Sequence, residues 1–398
     1  MAKLLWGKVY YQDHFAGLLQ EEPGDRTSFV YDETYLNAKQ PAIAHTLPLQ
    51  TSPHISIAGL HPFFDNLVAE GWLENAQTRL LGKRDASRFE LLLAFGYDCA
   101  GAVSVVDPEP SGLSELLLDS EDNKEMAVLT SRASLSGVQP KLAVVQREGG
   151  YFPARINELS THIAKFPTAA HDDIVTNEYL TTQAFKALLP EDTHVDLSID
   201  EVVGLSEAAL IIKRFDRIDG KRIHFEEFNQ LLGRKSHHKY DGSYKEMSHF
   251  IRNMSGCLHT ENYRLYARIL GGLLLGNTDM HLKNFAMFHA PTGMSLTPSY
   301  DQVAAAIYQY KTIALAIGGA SNLPIGTLKA KNMITMADEF ALPKEAVNMF
   351  VQQLARNKDQ AKDAITQASI GSSTLKNQLI KQIESRWNGT FALISQSL

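Results

Sequence analysis

The chain has 398 residues, enough for two or three domains at about 100–200 residues each. Hydrophobic residues make up 44% and charged residues 21%, the balance of a globular protein with a sizeable core. A net charge of −7 argues against a generic nucleic-acid binder, and two distant cysteines, Cys99 and Cys257, exclude a disulfide scaffold and suit a reducing cytoplasm.

The first residues, Met1 to Lys8, carry Lys3 and Gly7 where a signal peptide needs a long apolar region. No run approaches the roughly 18 apolar residues of a membrane span. The expectation is a soluble cytoplasmic protein without membrane contact. Residues 1–37 predict three short strands, over 3–11, 15–20 and 28–35, with turns at Asp13-His14 and Pro23-Gly24-Asp25. They would form a small barrel or meander. Within 61–96 the period changes to that of helices, marked by Phe63, Phe64, Leu67 and Val68 and later by Phe89, Leu92 and Leu93. His61-Pro62 opens the first of these helices and Gly71 closes it. Residues 100–106 return to a strand. The acidic stretch 107–130, with Pro108 and Pro110, reads as a linker between domains, and an acidic surface helix around 113–118 fits equally well.

Residues 131–146 place a small hydroxyl-rich loop, containing Gly137, before an apolar strand. Such a loop can bring backbone N–H groups close to phosphates, although most loops of this kind are ordinary turns. Lys165 stands among apolar residues in a strand, where its ammonium needs a partner. A nucleotide phosphate is one candidate and a buried glutamate another. Glu178 lies on the next helix, which Asp172-Asp173 caps and Pro190 stops. A snorkelling lysine and a solvated glutamate explain the same residues. The strand 208–212 runs into Lys213-Arg214-Phe215-Asp216-Arg217, a solvated strand end or, in a two-lobed kinase, the crossing where adenine docks. Residues 223–233 predict a helix, 234–239 a polar loop, and Thr260 caps a further helix.

The apolar run 265–275 stops at Gly276. Next comes Asn277-Thr278-Asp279-Met280-His281-Leu282-Lys283-Asn284-Phe285. An Asp followed five positions later by an Asn is what phosphoryl transfer needs on a catalytic loop. Asp279 would take the acceptor hydroxyl's proton and Asn284 would hold magnesium. Asp301 follows in Tyr300-Asp301-Gln302 and supplies a second carboxylate ligand. Any one of these residues fits a polar surface loop, but the combination favours the kinase chemistry. Beyond it, 312–317 predicts a strand ending at Gly318-Gly319. Residues 336–370 and 375–394 predict amphipathic helices that pack as a bundle beneath the site.

The sequence resembles the HipA family of serine/threonine kinase toxins over nearly its whole length. The N-terminal part matches through Gly17, 29–35, Phe63-Phe64-Asp65-Asn66-Leu67 and Gly101-Ala102-Val103. Where the family continues with Leu-Pro-Glu-Gly or similar, this chain has Val68-Ala69-Glu70-Gly71. The rest matches through Ser136-Gly137-Val138-Gln139-Pro140-Lys141, His162-Ile163-Ala164-Lys165-Phe166-Pro167, Asn177-Glu178-Tyr179, 213–217, Glu227-Phe228, 277–284 and Tyr300-Asp301. The resemblance implies an α+β, two-lobed protein-kinase-like fold with a small β-rich N-terminal subdomain and a mostly helical C-terminal lobe. The parts would be a subdomain over 1–106, an acidic linker over 107–130, a kinase N-lobe with its phosphate loop over 131–220 and a helical C-lobe over 221–398.

It further implies ATP and Mg2+ as cofactors. Asp279 would be the catalytic base, with Asn284 and Asp301 on the metal. Ser136, Gly137, Val138 and Gln139 of the phosphate loop, with Lys165 and His281, would lie at the ATP phosphates, Lys283 would also bind the cofactor, and Lys213, Phe215 and Asp216 would contact adenine and ribose. The family phosphorylates a serine of its own phosphate loop, for which Ser134 and Ser136 stand at candidate positions. The partners implied are a small helix-turn-helix antitoxin (HipB-like), DNA only through that antitoxin, and a protein substrate, an aminoacyl-tRNA synthetase in characterised relatives. Two other readings of the residues stand beside this one: a kinase-like antitoxin-binding co-repressor with little turnover, and a small-molecule kinase.

Overall fold

The computed structural model describes residues 4–108, 124, 127–128, 133–135, 137, 139–155, 158–171, 173–290 and 293–398. Most of the acidic stretch 107–130, and Ser136, Val138 and Asp172, lie outside the described residues. The chain divides into two compact units, Met1–Ala169 with Leu197–His237, and Ala170–Asp196 with His238–Leu398. The fold is α+β, rich in strands in the first unit and mostly helical in the second.

The first unit opens as the meander expected from the sequence. Strands β1 (Trp6–Tyr11), β2 (His14–Glu22) and β3 (Arg26–Tyr31) pair antiparallel in succession. Alternation along β1 sends Val9 and Tyr11 inward, the period-2 pattern of a half-buried strand. The sheet is completed at its edges by β4 (His54–Ser56) and β5 (Val103–Val106), in the order β4-β3-β2-β1-β5. The third strand stops at Tyr31 rather than running to Tyr35. Asp32 caps a short helix, Glu33–Asn37, by accepting from the Thr34 and Tyr35 N–H groups. Helix Pro62–Leu67 begins at His61 as expected, but Gly71 does not close it; Gly71 opens the next helix, Gly71–Leu80.

The second sheet contains β6 (Lys141–Arg147), β7 (Gly150–Pro153), β8 (His162–Lys165), β9 (Leu197–Glu201) and β10 (Ala208–Lys213), in the order β7-β6-β8-β10-β9. One apolar core joins both sheets, from Phe29, Phe63, Phe64 and Phe95 to Val144, Ala164, Phe166 and Ile211. The expected helix over 223–233 is instead a strand, Phe225–Glu227, followed by one helical turn, Phe228–Leu231. Glu227 and Gln230 form a reciprocal capping box there, so the turn cannot start earlier.

A cluster of buried charge lies in the same unit. Asp98 accepts from Arg217 at 2.7 Å, Arg214 at 3.2 Å and the Ser160 hydroxyl at 2.6 Å. Asp216 accepts from Arg214 at 2.9 and 2.8 Å, from Arg217 at 2.7 Å and from the Gly101 N–H at 2.8 Å. Burial by itself would raise both carboxyls. The surrounding guanidinium groups outweigh it and hold both well below the usual carboxylate range.

The second unit is built on helix His259–Leu275, whose Leu265, Ile269, Leu270, Leu273 and Leu274 are all buried. Its cap is Leu258, not Thr260, which lies one residue inside. Helix Lys344–Gln367 packs along Ile174–Leu188, and Ser373–Gly389 packs against both Lys344–Gln367 and His259–Leu275. The single helix expected over 336–370 is two, because Pro343 follows a left-handed Ala341. Residues 312–317 form isolated bridges, Thr312 with Pro324, Ala316 with Ser243 and Ile317 with Ala320, rather than a strand. Among the described residues no helix is long and apolar enough to cross a membrane.

Candidate functional site

The second unit's polar loop begins where its central helix is forced to stop. Gly276 ends the helix in the left-handed region at φ 88°, and a Cβ there would sit 2.7 Å from the Arg386 guanidinium. The chain then turns on Asn277, which is fully buried. Its backbone N–H donates to Gly272 at 2.8 Å, and its side-chain oxygen accepts from the Asp279 N–H at 3.1 Å. Its amide nitrogen donates to the Asp301 carbonyl at 3.2 Å and to Gln302 Oε1 at 3.3 Å. One asparagine thus ties the backbones of the two candidate acids together. Asn284 clamps the same loop from its far end by donating to the Asp279 carbonyl at 2.8 Å.

Asp301 is near enough to Asp279 to oppose its ionisation. Burial raises the Asp279 carboxyl first and Asp301 raises it further, to about 6. A hydrogen bond from Tyr240 and the charge of Lys239 pull the other way. Asp301 has φ 56°, a left-handed conformation uncommon for a residue with a side chain, though one that aspartate tolerates better than most. Asn284's amide nitrogen is committed to Asp279, which turns its oxygen elsewhere. Asn284 and Asp301 offer oxygen donors only, the ligand chemistry that suits magnesium.

His281 and Lys283 are both buried in this loop. His281 Nδ1 accepts from the Lys283 N–H at 3.2 Å, and the Tyr300 phenol donates to the Lys283 carbonyl at 2.8 Å. Tyr240, one residue past the expected polar loop 234–239, donates to Asp279 Oδ1 at 2.9 Å. Its ring meets that of His281 edge-on at 5.0 Å.

The remaining candidates lie in the first unit. Lys165 is buried at the end of β8, and the strand register places Lys141 of β6 directly opposite it. Lys141 is buried as well. Gly137 has φ 103°, and a Cβ there would collide with Lys141 Nζ, so Gly137 itself lies against that ammonium. Gln139 donates its amide to the Phe166 carbonyl at 2.8 Å, which pins the loop beside Lys165. Lys213 is exposed and Phe215 half-buried at the end of β10. Asp216 needs correction as a ribose contact: both its oxygens are used by Arg214, Arg217 and Gly101, and it is 4% exposed. Ser134 is buried and donates to the Leu67 carbonyl at 2.6 Å, so a phosphate can enter there only if the segment leaves its place. Ser136 and Val138 are outside the described residues. Glu178, also buried, is in the second unit and Lys165 is in the first.

Sequence reasoning missed Asn277, Lys239, Tyr240 and Lys141 as site residues. Lys141 carried a readable signal, a second lysine entering an apolar strand. Tyr240 carried none, because it stands 39 residues before the aspartate that it touches.

The family model described as the HipA-like C-terminal domain matches residues 133–362, and that of the HipA N-terminal domain matches 7–106. A serine/threonine-protein kinase toxin HipA of Shewanella oneidensis is 28% identical over 397 residues, covering 90% of this chain and 89% of its own. A putative kinase, Y4dM, of Sinorhizobium fredii is 28% identical over 345 residues, 79% of each chain. A solved complex of Shewanella oneidensis MR-1 HipA and HipB with operator DNA contains a chain of the same fold. It aligns with a TM-score of 0.76 at 23% identity, over 98% of this chain and 99% of that one.

Proposed function

The chain belongs to the HipA family, and from that premise we propose that it is an ATP-dependent serine/threonine protein kinase and the toxin of a toxin–antitoxin pair. The observation that carries this reading is the joined pair of acids. Asp279 is clamped by Asn277 and Asn284, and its carboxyl is raised to about 6 beside Asp301. A base poised near neutral pH can take a hydroxyl proton without being permanently protonated. As the acceptor's O–H proton passes to Asp279, its oxygen bonds the γ-phosphorus and the bond to the ADP oxygen breaks. Magnesium, held by Asn284 and Asp301, would offset the charge of the phosphates.

In the first unit, Lys165 and Lys141, opposite each other in the strand register, are with the Gly137 loop the groups suited to phosphates, since ammonium donors make strong charge-assisted bonds to phosphate oxygens. Lys213 and Phe215 are the nucleobase candidates. Ser134 and Ser136 are both proposed as sites of self-modification; the Ser134 hydroxyl is buried and engaged, so its modification requires that segment to leave its place. A phosphate on that loop adds about 1.5–2 negative charges and would repel ATP.

A small helix-turn-helix antitoxin is the proposed partner, by analogy with the HipA and HipB complex. An aminoacyl-tRNA synthetase is the proposed substrate class. The test is transfer of labelled γ-phosphate in the presence of magnesium. Label on protein, lost in Asp279→Asn, supports the reading. Label on a metabolite alone favours a small-molecule kinase, and the absence of transfer favours a binding protein.

A further inference from the structure

Asp279 is held by its backbone from both sides. The Asn277 oxygen takes its N–H at 3.1 Å, and its carbonyl accepts from Asn284 Nδ2 and from the His281 N–H, both at 2.8 Å. These bonds fix where the side chain starts. They do not fix how the carboxylate turns about its last bond, which is broad and two-fold in aspartate. The group that removes this freedom is Tyr240, whose phenol donates to Oδ1 at 2.9 Å.

Tyr240 is itself held in place. The Lys239 carbonyl accepts from the Leu282 N–H at 3.1 Å. Tyr244, fully buried on the same segment, donates its phenol to the Met280 carbonyl at 3.1 Å. The Tyr240 ring stands edge-on to His281, with the Lys239 ammonium 5.6 Å from its centroid. The segment 239–244 therefore grips the loop at 280, 281 and 282 while its phenol reaches Asp279. Tyr240 is 48% exposed, so water is the ordinary partner for its hydroxyl. Its bond to a half-buried carboxylate is a departure that a purely structural residue would not need.

We propose that Tyr240 is a positioning residue for phosphoryl transfer: its phenol holds Oδ1 of Asp279 so that Oδ2 is presented to the acceptor hydroxyl. Among the described residues no other side chain donates to this carboxylate. Because the bond occupies only one oxygen, base and tether act at once. The role rests on the kinase reading given above. It differs from the role of the phosphate-binding lysines, which would act on the nucleotide and not on the acceptor.

The experiment is steady-state transfer of γ-phosphate from ATP with magnesium by the full chain, comparing wild type, Tyr240→Phe and Asp279→Asn. Phenylalanine keeps the ring against His281 and under Lys239 and removes only the hydroxyl. The expected result is a fall in kcat on the order of ten- to a hundredfold, the scale of a mispositioned reacting group. KM for ATP and the thermal midpoint should stay unchanged. A structural role would move the midpoint or the nucleotide KM together with kcat, and that outcome overturns the proposal. Unchanged kcat also overturns it. A faster Tyr240→Phe enzyme would mean that the phenol blocks the acceptor's seat, the opposite role. If wild type transfers no more phosphate than Asp279→Asn, the kinase reading itself has failed and this inference falls with it. Failure of the inference alone is recognised by an active wild type matched by Tyr240→Phe.

Discussion

Asp98 in the first unit and Asp279 in the second are both withdrawn from water, yet their surroundings treat the carboxylate in opposite ways. Asp98 is enclosed by Arg214, Arg217, Arg222 and Ser160 and stays ionised far into acid. Asp279 has a tyrosine on one oxygen and a second carboxylate nearby, and its carboxyl is pushed up to about 6. The first arrangement is satisfied within the chain and fastens segments distant in sequence, since Asp98 and Arg217 are 119 residues apart. The second is held in position but not neutralised, which is the condition of a group that waits for a proton or a cation. Burial does not by itself distinguish a structural acid from a reactive one; the charges around it do.

Removing each carboxylate's charge is the strongest way to break this comparison. Asp279→Asn should cost on the order of 10²–10⁴ in phosphoryl transfer, the usual contribution of a general base. It should not lower stability. An acid whose folded value lies above its unfolded one weakens the fold at neutral pH, here by up to about 3 kcal/mol. A thermal melt of the metal-free variant should therefore match or exceed wild type. Arg214→Ala should do the reverse. Stripping two buried carboxylates of a shared partner costs about 3–5 kcal/mol, read as a lowered denaturant midpoint.

The pH dependence sharpens the same contrast. Asp98 and Asp216 have folded values below their unfolded ones. Their stabilisation is complete above about pH 4 and is lost as the pH falls through the folded values. Asp279 has the opposite sign. Its stabilisation is present below about pH 4, where both states are protonated in common, and is lost as the pH rises through about 6. Hydrogen exchange resolved by unit should show the first unit loosening in acid before the second. The smallest expected effect concerns cations. Arg214, Arg217 and Arg222 sit among carboxylates, whereas Lys141 stands directly across from Lys165. Lys141→Met should raise KM for ATP about tenfold, because it removes a cation from the proposed phosphate site. A drop in stability without a change in KM would assign Lys141 to the structural class.

The candidate loop was legible because its polar residues are local: Asp279, His281, Lys283 and Asn284 fall within six residues behind a helix stopped by glycine. The β-meander was legible for the same reason, through alternation and turn residues. Asp216 was misread because the run 213–217 looks the same whether its charges face a ribose or one another. Only the fold reveals that Asp98, more than a hundred residues upstream, draws both arginines inward. Thr260 and the segment 312–317 failed on local propensity. The helix starts one residue earlier at His259, and the apolar segment finds its neighbours singly, at Ser243 and Pro324, instead of in a ladder. Tyr240 was invisible for the reason that makes it informative, since its partner is set by tertiary structure alone.

The most direct test of the central claim is intact-mass spectrometry of purified wild type and Asp279→Asn after incubation with ATP and magnesium, with the modified residue mapped by fragmentation. The account predicts phosphate on the wild type only, at Ser134 or Ser136, with both proteins folded. Equal phosphate on the two proteins, or none on a wild type that starts unmodified and binds ATP, would contradict Asp279 as the base and return it to the class of Asp98.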